Sequence, residues 1–135
     1  MGNRRKSREI AMQALYMLET VDTPVNELVK LNWVEEDIEN DILEFAKEII
    51  SGTCGKTAEI DKIIIGFSKN WKFERIASID KAILRIALYE MIYMDKIPYA
   101  ITINEAIELG KTFGGENSGQ FINGILDSYK NSISS

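Results

Sequence analysis

An all-α fold of about seven helices is predicted for this 135-residue chain. Apolar residues recur at helical spacing along nearly its whole length, and cap-like residues separate the periodic segments. The one strand-like alternation, "YAITI" at 99–103, has no second strand with turn chemistry to pair with. At this length one domain is expected, burying about two-thirds of the surface of the unfolded chain. It spans 1–135, with 1–9 as a basic N-terminal segment and 131–135 as a tail that frays.

The elements follow in order. Ile10, Ala11, Ala14, Leu15 and Leu18 share one face of a first helix. Thr23 as cap and Pro24 in the first turn open a short second helix through Leu28 and Leu31. Ile38, Ile42, Phe45, Ala46 and Ile49 mark a longer helix. Past "SGTCGK", Ile60, Ile63, Ile64 and Phe67 lie on another helix or on its continuation. Ser78, with Asp80 in the first turn, opens "SIDKAILRIALYEMIYM", apolar enough to be buried on more than one side and so the expected central helix. Pro98 ends that stretch, and "TINE" supplies a capping box, Thr102 with Glu105, for a sixth helix through Ile107 to Phe113. Gly114 suits a left-handed C-cap. Asn117 or Ser118 can cap a seventh helix with Phe121, Ile122, Ile125, Leu126 and Tyr129 on its inner face.

Composition excludes several chemistries. There is no histidine, so Ser-His-Asp and Cys-His catalysis and imidazole-dependent metal sites are ruled out. No catalytic residue, metal site or cofactor is predicted. The acidic run Glu35, Glu36, Asp37, Glu39, Asp41 and Glu44 reads as a solvated helix side. The glycines of "FGGENSGQFING" lack the Lys-Ser/Thr of a phosphate loop and read as turns and caps. No apolar run approaches the roughly 20 residues needed to span a bilayer, and charges stand where a signal peptide would be apolar. A cytoplasmic protein with no membrane contact is expected, and the lone Cys54 reads as a small buried thiol.

Charge points to a partner. Four of the 16 basic residues fall within Arg4 to Arg8, although the net charge is -5. Residues 1–9 carry four basic and one acidic residue, against 12 basic and 20 acidic over the rest. The run opens a helix, where the macrodipole disfavours cations by roughly 0.3–1 kcal/mol each, so helix stability does not explain it. At about 100° per residue, Arg5, Arg8, Met12 and Tyr16 form one stripe away from the core face, with Gln13 beside it. Guanidinium forks, an aromatic ring and an amide suit single-stranded nucleic acid. With a Debye length of about 8 Å, a phosphate there feels mainly local charge, and the binding should be weak alone.

Three stretches carry a resemblance to a known family: "RRKSREIAMQALY" (4–16), "AILRIALYEM" (82–91) and "IPYAITINEAIELGKTFGGENSGQFINGILD" (97–127). The chain resembles the NusB family of bacterial transcription antitermination factors, while residues 20–70 match only in helix order. The resemblance implies two three-helix bundles packed together and no enzymatic activity. It also implies a heterodimer with NusE, the small-subunit ribosomal protein called S ten, that binds single-stranded boxA RNA. That complex modifies RNA polymerase so that it reads through terminators, notably in ribosomal RNA operons. A homodimer is a further possibility, with Met12 as an apolar outer residue that could serve it. Carried over, the family's RNA-binding residues fall on Arg4, Arg5, Lys6, Arg8 and Gln13, joined by Lys111, Asn117, Ser118, Gln120 and Phe121 around the last two helices. Phe113, like Phe121, either stacks on bases or packs in the core. Tyr16 and Asp80 fall at the NusE surface. Lys6 replaces a frequent arginine with a point charge; Asn117 replaces a frequent acid, and Gln120 lacks a frequent positive charge. The alternative is a helical module whose partner is protein only, indifferent to RNA.

Overall fold

The computed structural model describes residues 2–94 and 96–134, with side chains from 4 to 94 and 96 to 133. Among the described residues there are seven α-helices: α1 Gly2–Thr20, α2 Val25–Val29, α3 Asn40–Gly55, α4 Thr57–Phe67, α5 Ser78–Tyr93, α6 Tyr99–Phe113 and α7 Ser118–Ser134. A single 3-10 turn, Phe73–Arg75, precedes α5, and the described residues contain no strand. None of these helices is long and apolar enough to cross a membrane.

Helix α5 sets the architecture. Its residues are buried on every side, including Ile83, Leu84 and Leu88 at 0% exposure. It packs against α1, α3, α4, α6 and α7. On one side α1, α2 and α3 form a bundle; on the other α6 and α7 pack together against α5, with α4 lying against α5 and α7. The core is continuous between them, from Ile10, Ala14 and Leu15 through Ile49 and Ile60 to Ile122 and Leu126. The acidic run is solvated, its side chains being exposed from Glu35 to Asp37 and at Glu39, Asp41 and Glu44, but it is not one helix side: only Asp41 and Glu44 lie on α3, which begins at Asn40 with Glu39 as its N-cap.

Several local expectations change, each for a stated reason. Pro24, not Thr23, occupies the N-cap of α2, with φ -62° and ψ 145°. That helix ends before Leu31, which takes φ 59°. This conformation costs a residue with a side chain roughly 1–2 kcal/mol, and here it accompanies almost complete burial of Leu31. Helix α3 runs straight through Gly52, and the break falls at Lys56. A Cβ at Gly52 would overlap the Tyr89 ring, so α3 approaches α5 closely there. Ala77 rather than Ser78 is the N-cap of α5.

The "TINE" capping box does not cap. Helix α6 begins a turn earlier, because Pro98 stands at the N-cap and its carbonyl accepts the N–H groups of Ile101 and Thr102 at 3.0 and 3.3 Å. Gly114 is extended, not left-handed, at φ -91° and ψ -169°. Glycine is required there for space: a Cβ would overlap the Ser118 side chain. Helix α7 continues to Ser134, so 131–134 are helical, and the last residue of the expected tail, 135, lies outside the described residues.

Candidate nucleic-acid interface

The basic start of α1 does not present its cations as one uniform stripe. Helix α1 packs on both α3 and α5, which widens its buried arc. Met12, expected outside, is 1% exposed, and Arg8 is 4% exposed. Met12 therefore belongs to the core and cannot supply an apolar contact for a second copy.

Arg8 is held by a carboxylate from the central helix. Its Nε and Nη2 each donate to Glu90 at 2.8 Å, and Thr102 donates its hydroxyl to the same carboxylate at 3.3 Å. A third nitrogen lies 3.7 Å from Glu105. A buried bidentate pair with an extra hydroxyl donor meets the condition for keeping two charges out of water. Arg8 is thus an internal strut, not an exposed phosphate ligand.

The neighbouring cations sit outside this strut. Arg4 is exposed, with its guanidinium 4.5 Å from the centre of the Phe45 ring. Arg5 has a side chain 59% exposed and donates through Nε and Nη2 to Glu105 at 3.0 and 2.6 Å. Those hydrogen bonds raise the Arg5 pKa and hold the Glu105 carboxyl below its usual range, against the opposing effect of burial. Lys6 bridges Glu36 and Glu9 at 3.0 and 3.1 Å, and the hydrogen bond to Glu36 is the main cause of its raised pKa. One guanidinium lies on a ring and the other is aligned by a carboxylate, so both are oriented before any ligand arrives.

These groups flank a groove of about 1340 Å³ between α1, α3 and the start of α6. Ile42, Phe45, Pro98 and Ile101 give it an apolar floor. Lys47 and Lys96 add positive charge, which Glu44, Glu48 and Asp41 oppose. Phe45 was read from sequence only as part of an apolar helix face, and Lys47 and Lys96 were not singled out. Glu90 carried a legible signal: a lone carboxylate in "AILRIALYEM" must have a buried partner if that helix is buried all round.

The remaining predicted residues separate into two other places. Gln13 is half-buried, and Tyr16 is 39% exposed on α1. Asp80 is only 8% exposed, with one carboxylate oxygen unpartnered. Burial raises its pKa, and a hydrogen bond from Ser118 works against that rise. Near the α6–α7 turn, Lys111, Asn117 and Gln120 are exposed, with Lys111 3.6 Å from Glu108. Ser118 is 5% exposed and its hydroxyl accepts the Gly115 N–H at 2.8 Å, so it fastens the turn instead of facing a ligand. Phe113 is 38% exposed, whereas Phe121 is half-buried with its ring edge-on to Trp71 at 6.0 Å. Cys54 is half-buried and its thiol pKa is pushed up by that burial.

The Arg5–Glu105 pair makes a pH prediction. Because the folded Glu105 pKa is lowered, its stabilisation is fully present above the unfolded value of about 4.3 and is lost as pH falls through the folded value. Asp80 has the opposite sign: its raised pKa destabilises at neutral pH, and acidification relieves that. Thermal melts of the parent and Glu105→Gln from pH 7 to pH 3 are expected to converge towards the acid end. A parent advantage that does not change with pH would contradict this.

The model of the NusB family matches residues 5–131. A transcription antitermination protein NusB from Syntrophus aciditrophicus is 45% identical over 127 residues, covering 94% of this chain and 79% of that protein. A solved structure described as a plectonemic RNA supercoil contains a chain with TM-score 0.90 and 29% identity, covering 100% of this chain and 99% of that one. A crystal structure of the antitermination factors NusB and NusE with double-stranded RNA contains a chain with TM-score 0.86 and 26% identity, with 98% of each chain covered. With a helical order, a basic first helix and an extended family match all in agreement, the chain belongs to the NusB family.

Proposed function

We propose that this chain is a cytoplasmic transcription antitermination factor that binds single-stranded boxA RNA as a heterodimer with NusE, within a complex that lets RNA polymerase read through terminators. The observation that carries the RNA contact is the pair Arg4 and Arg5, exposed on the first turns of α1 and pre-oriented by Phe45 and Glu105. Their role is to bind phosphates through charged guanidinium forks. Lys6 adds a third charge, and Arg8 acts from beneath by fixing the helix that displays them. Lys111, Asn117 and Gln120 extend the RNA surface at the α6–α7 turn. Tyr16, 39% exposed on α1, faces NusE, whereas Asp80 at 8% exposure has little surface to offer a partner.

Two weak RNA surfaces joined in one heterodimer make one adequate binder. With Arg8 internal, three cations at the start of α1 remain for phosphates. Their contribution to the log–log salt slope on single-stranded RNA is then no steeper than about -2.1, at roughly 0.7 per contact. Titrating labelled boxA-like RNA at several salt concentrations, with NusE present, tests this. The Arg4→Ala/Arg5→Ala variant should lose about 1.4 units of slope and bind NusE unchanged. Unaltered affinity and slope, with NusE binding retained, would instead favour a module whose partner is protein only.

A further inference from the structure

A second recess lies away from the α1 groove, where the segment after α4 meets the first turns of α7. We propose that it holds one nucleobase of the bound RNA strand, stacked on Trp71. The inference rests on the RNA-binding role above and adds to it a base-binding site that neither Arg4 nor Arg5 reaches by charge alone.

Trp71 is 58% exposed, the most exposed large apolar side chain of the fold's described residues. Its indole lies edge-on to Phe121 at 76° between planes, so a neighbouring ring fixes its orientation while much of its surface stays open to solvent. Both rings line a recess of about 200 Å³. That is below the roughly 300 Å³ at which pockets for whole small ligands begin, a size for one ring system carried on a polymer. The polar groups around it are those that read base edges. The amides of Asn70 and Gln120 are exposed at its rim beside Lys69. Ser68 also lines it, is 5% exposed, and its hydroxyl oxygen has no hydrogen-bond partner.

An aromatic side chain from a protein partner would use the same rings. The combination of two exposed amides and a lysine favours a base, whose edges offer donors and acceptors and whose backbone offers a phosphate. The site also continues the α6–α7 surface, since Gln120 and Phe121 belong to both. Gly124 supplies a way to close the recess. It lines the wall, and a Cβ there meets nothing within 4 Å. A leucine at that helical position fills the recess, and its better helix propensity supports the fold.

The test uses the full chain with Trp33→Phe, leaving Trp71 as the sole indole reporter. Titration with NusE and a short single-stranded boxA-like RNA should quench Trp71 emission. Trp71→Ala and Gly124→Leu should each weaken RNA binding about 5- to 100-fold, while Trp71→Phe retains most of it and NusE binding stays constant. Gly124→Leu should melt no earlier than the parent. If the parent binds RNA with unchanged Trp71 emission and both variants bind equally well, the recess proposal fails and the function above stands. If no RNA binding occurs in the parent at any salt concentration, both fail. If NusE alone shifts the emission and the variants weaken NusE binding instead, the recess docks protein and the proposal is overturned.

Discussion

Replacing Arg8 with alanine is expected to destabilise the protein by about 3–5 kcal/mol, because it strands a buried carboxylate. Glu90 is 1% exposed and takes both of its short charged hydrogen bonds from Arg8, leaving only the Thr102 hydroxyl after truncation. For a chain of this size that corresponds to a fall on the order of 10–20 °C in Tm. The charge pair itself is a different quantity. Exchanging both members for apolar residues of similar volume, as in Arg8→Met/Glu90→Leu, should recover most of the loss, since a buried pair often contributes little beyond its own desolvation. Thermal or urea unfolding of the single and double variants measures the coupling. A double variant as unstable as Arg8→Ala would mean that the pair stabilises by more than mutual neutralisation.

The same variants separate folding from RNA recognition. If Arg8 acts only as a strut, the apolar double variant should bind boxA-like RNA with the parent's salt slope. A slope reduced by about 0.7 would show instead that Arg8 reaches a phosphate.

Leu84→Ala is the second large expected effect, at about 3–5 kcal/mol, the upper part of the range for buried leucine truncation. Leu84 is 0% exposed on a helix packed against five others. Neighbours on all sides leave little room for the structure to collapse into the vacated space, and the cost of truncation rises with the cavity that remains. Leu18→Ala, on a half-buried site at the rim of the core, provides the contrast and should cost about 1–2 kcal/mol. Equilibrium unfolding of both variants checks the difference. Equal values would mean that α5 can shift to fill the gap.

The helices were legible because amphipathic spacing is a local property. Each apolar face from Ile10 to Leu126 needed only its own neighbours in sequence to be read, and the continuous apolar stretch of α5 announced burial on all sides. Helix ends were less legible. "TINE" satisfies the capping pattern, yet Pro98 had already started α6, and Thr102 and Glu105 were engaged by Glu90, Arg5 and Arg8. The α6–α7 turn was read as a backbone conformation when it is a matter of space: Gly114 is extended and makes room for Ser118.

By itself the sequence determined the helical class, the order of the elements, the central position of α5, the segregation of positive charge to the N-terminus and the family. These follow from spacing, composition and ordered motifs along the chain. Only the tertiary structure decided which cations are free to meet a ligand. Arg4, Arg5 and Arg8 are the same residue type within one turn and a half, but Phe45, Glu105 and Glu90 come from three other helices. Whether a guanidinium faces a groove or a buried carboxylate depends on which helices pack beside it, and that packing is set by the whole core, over separations of up to 100 residues.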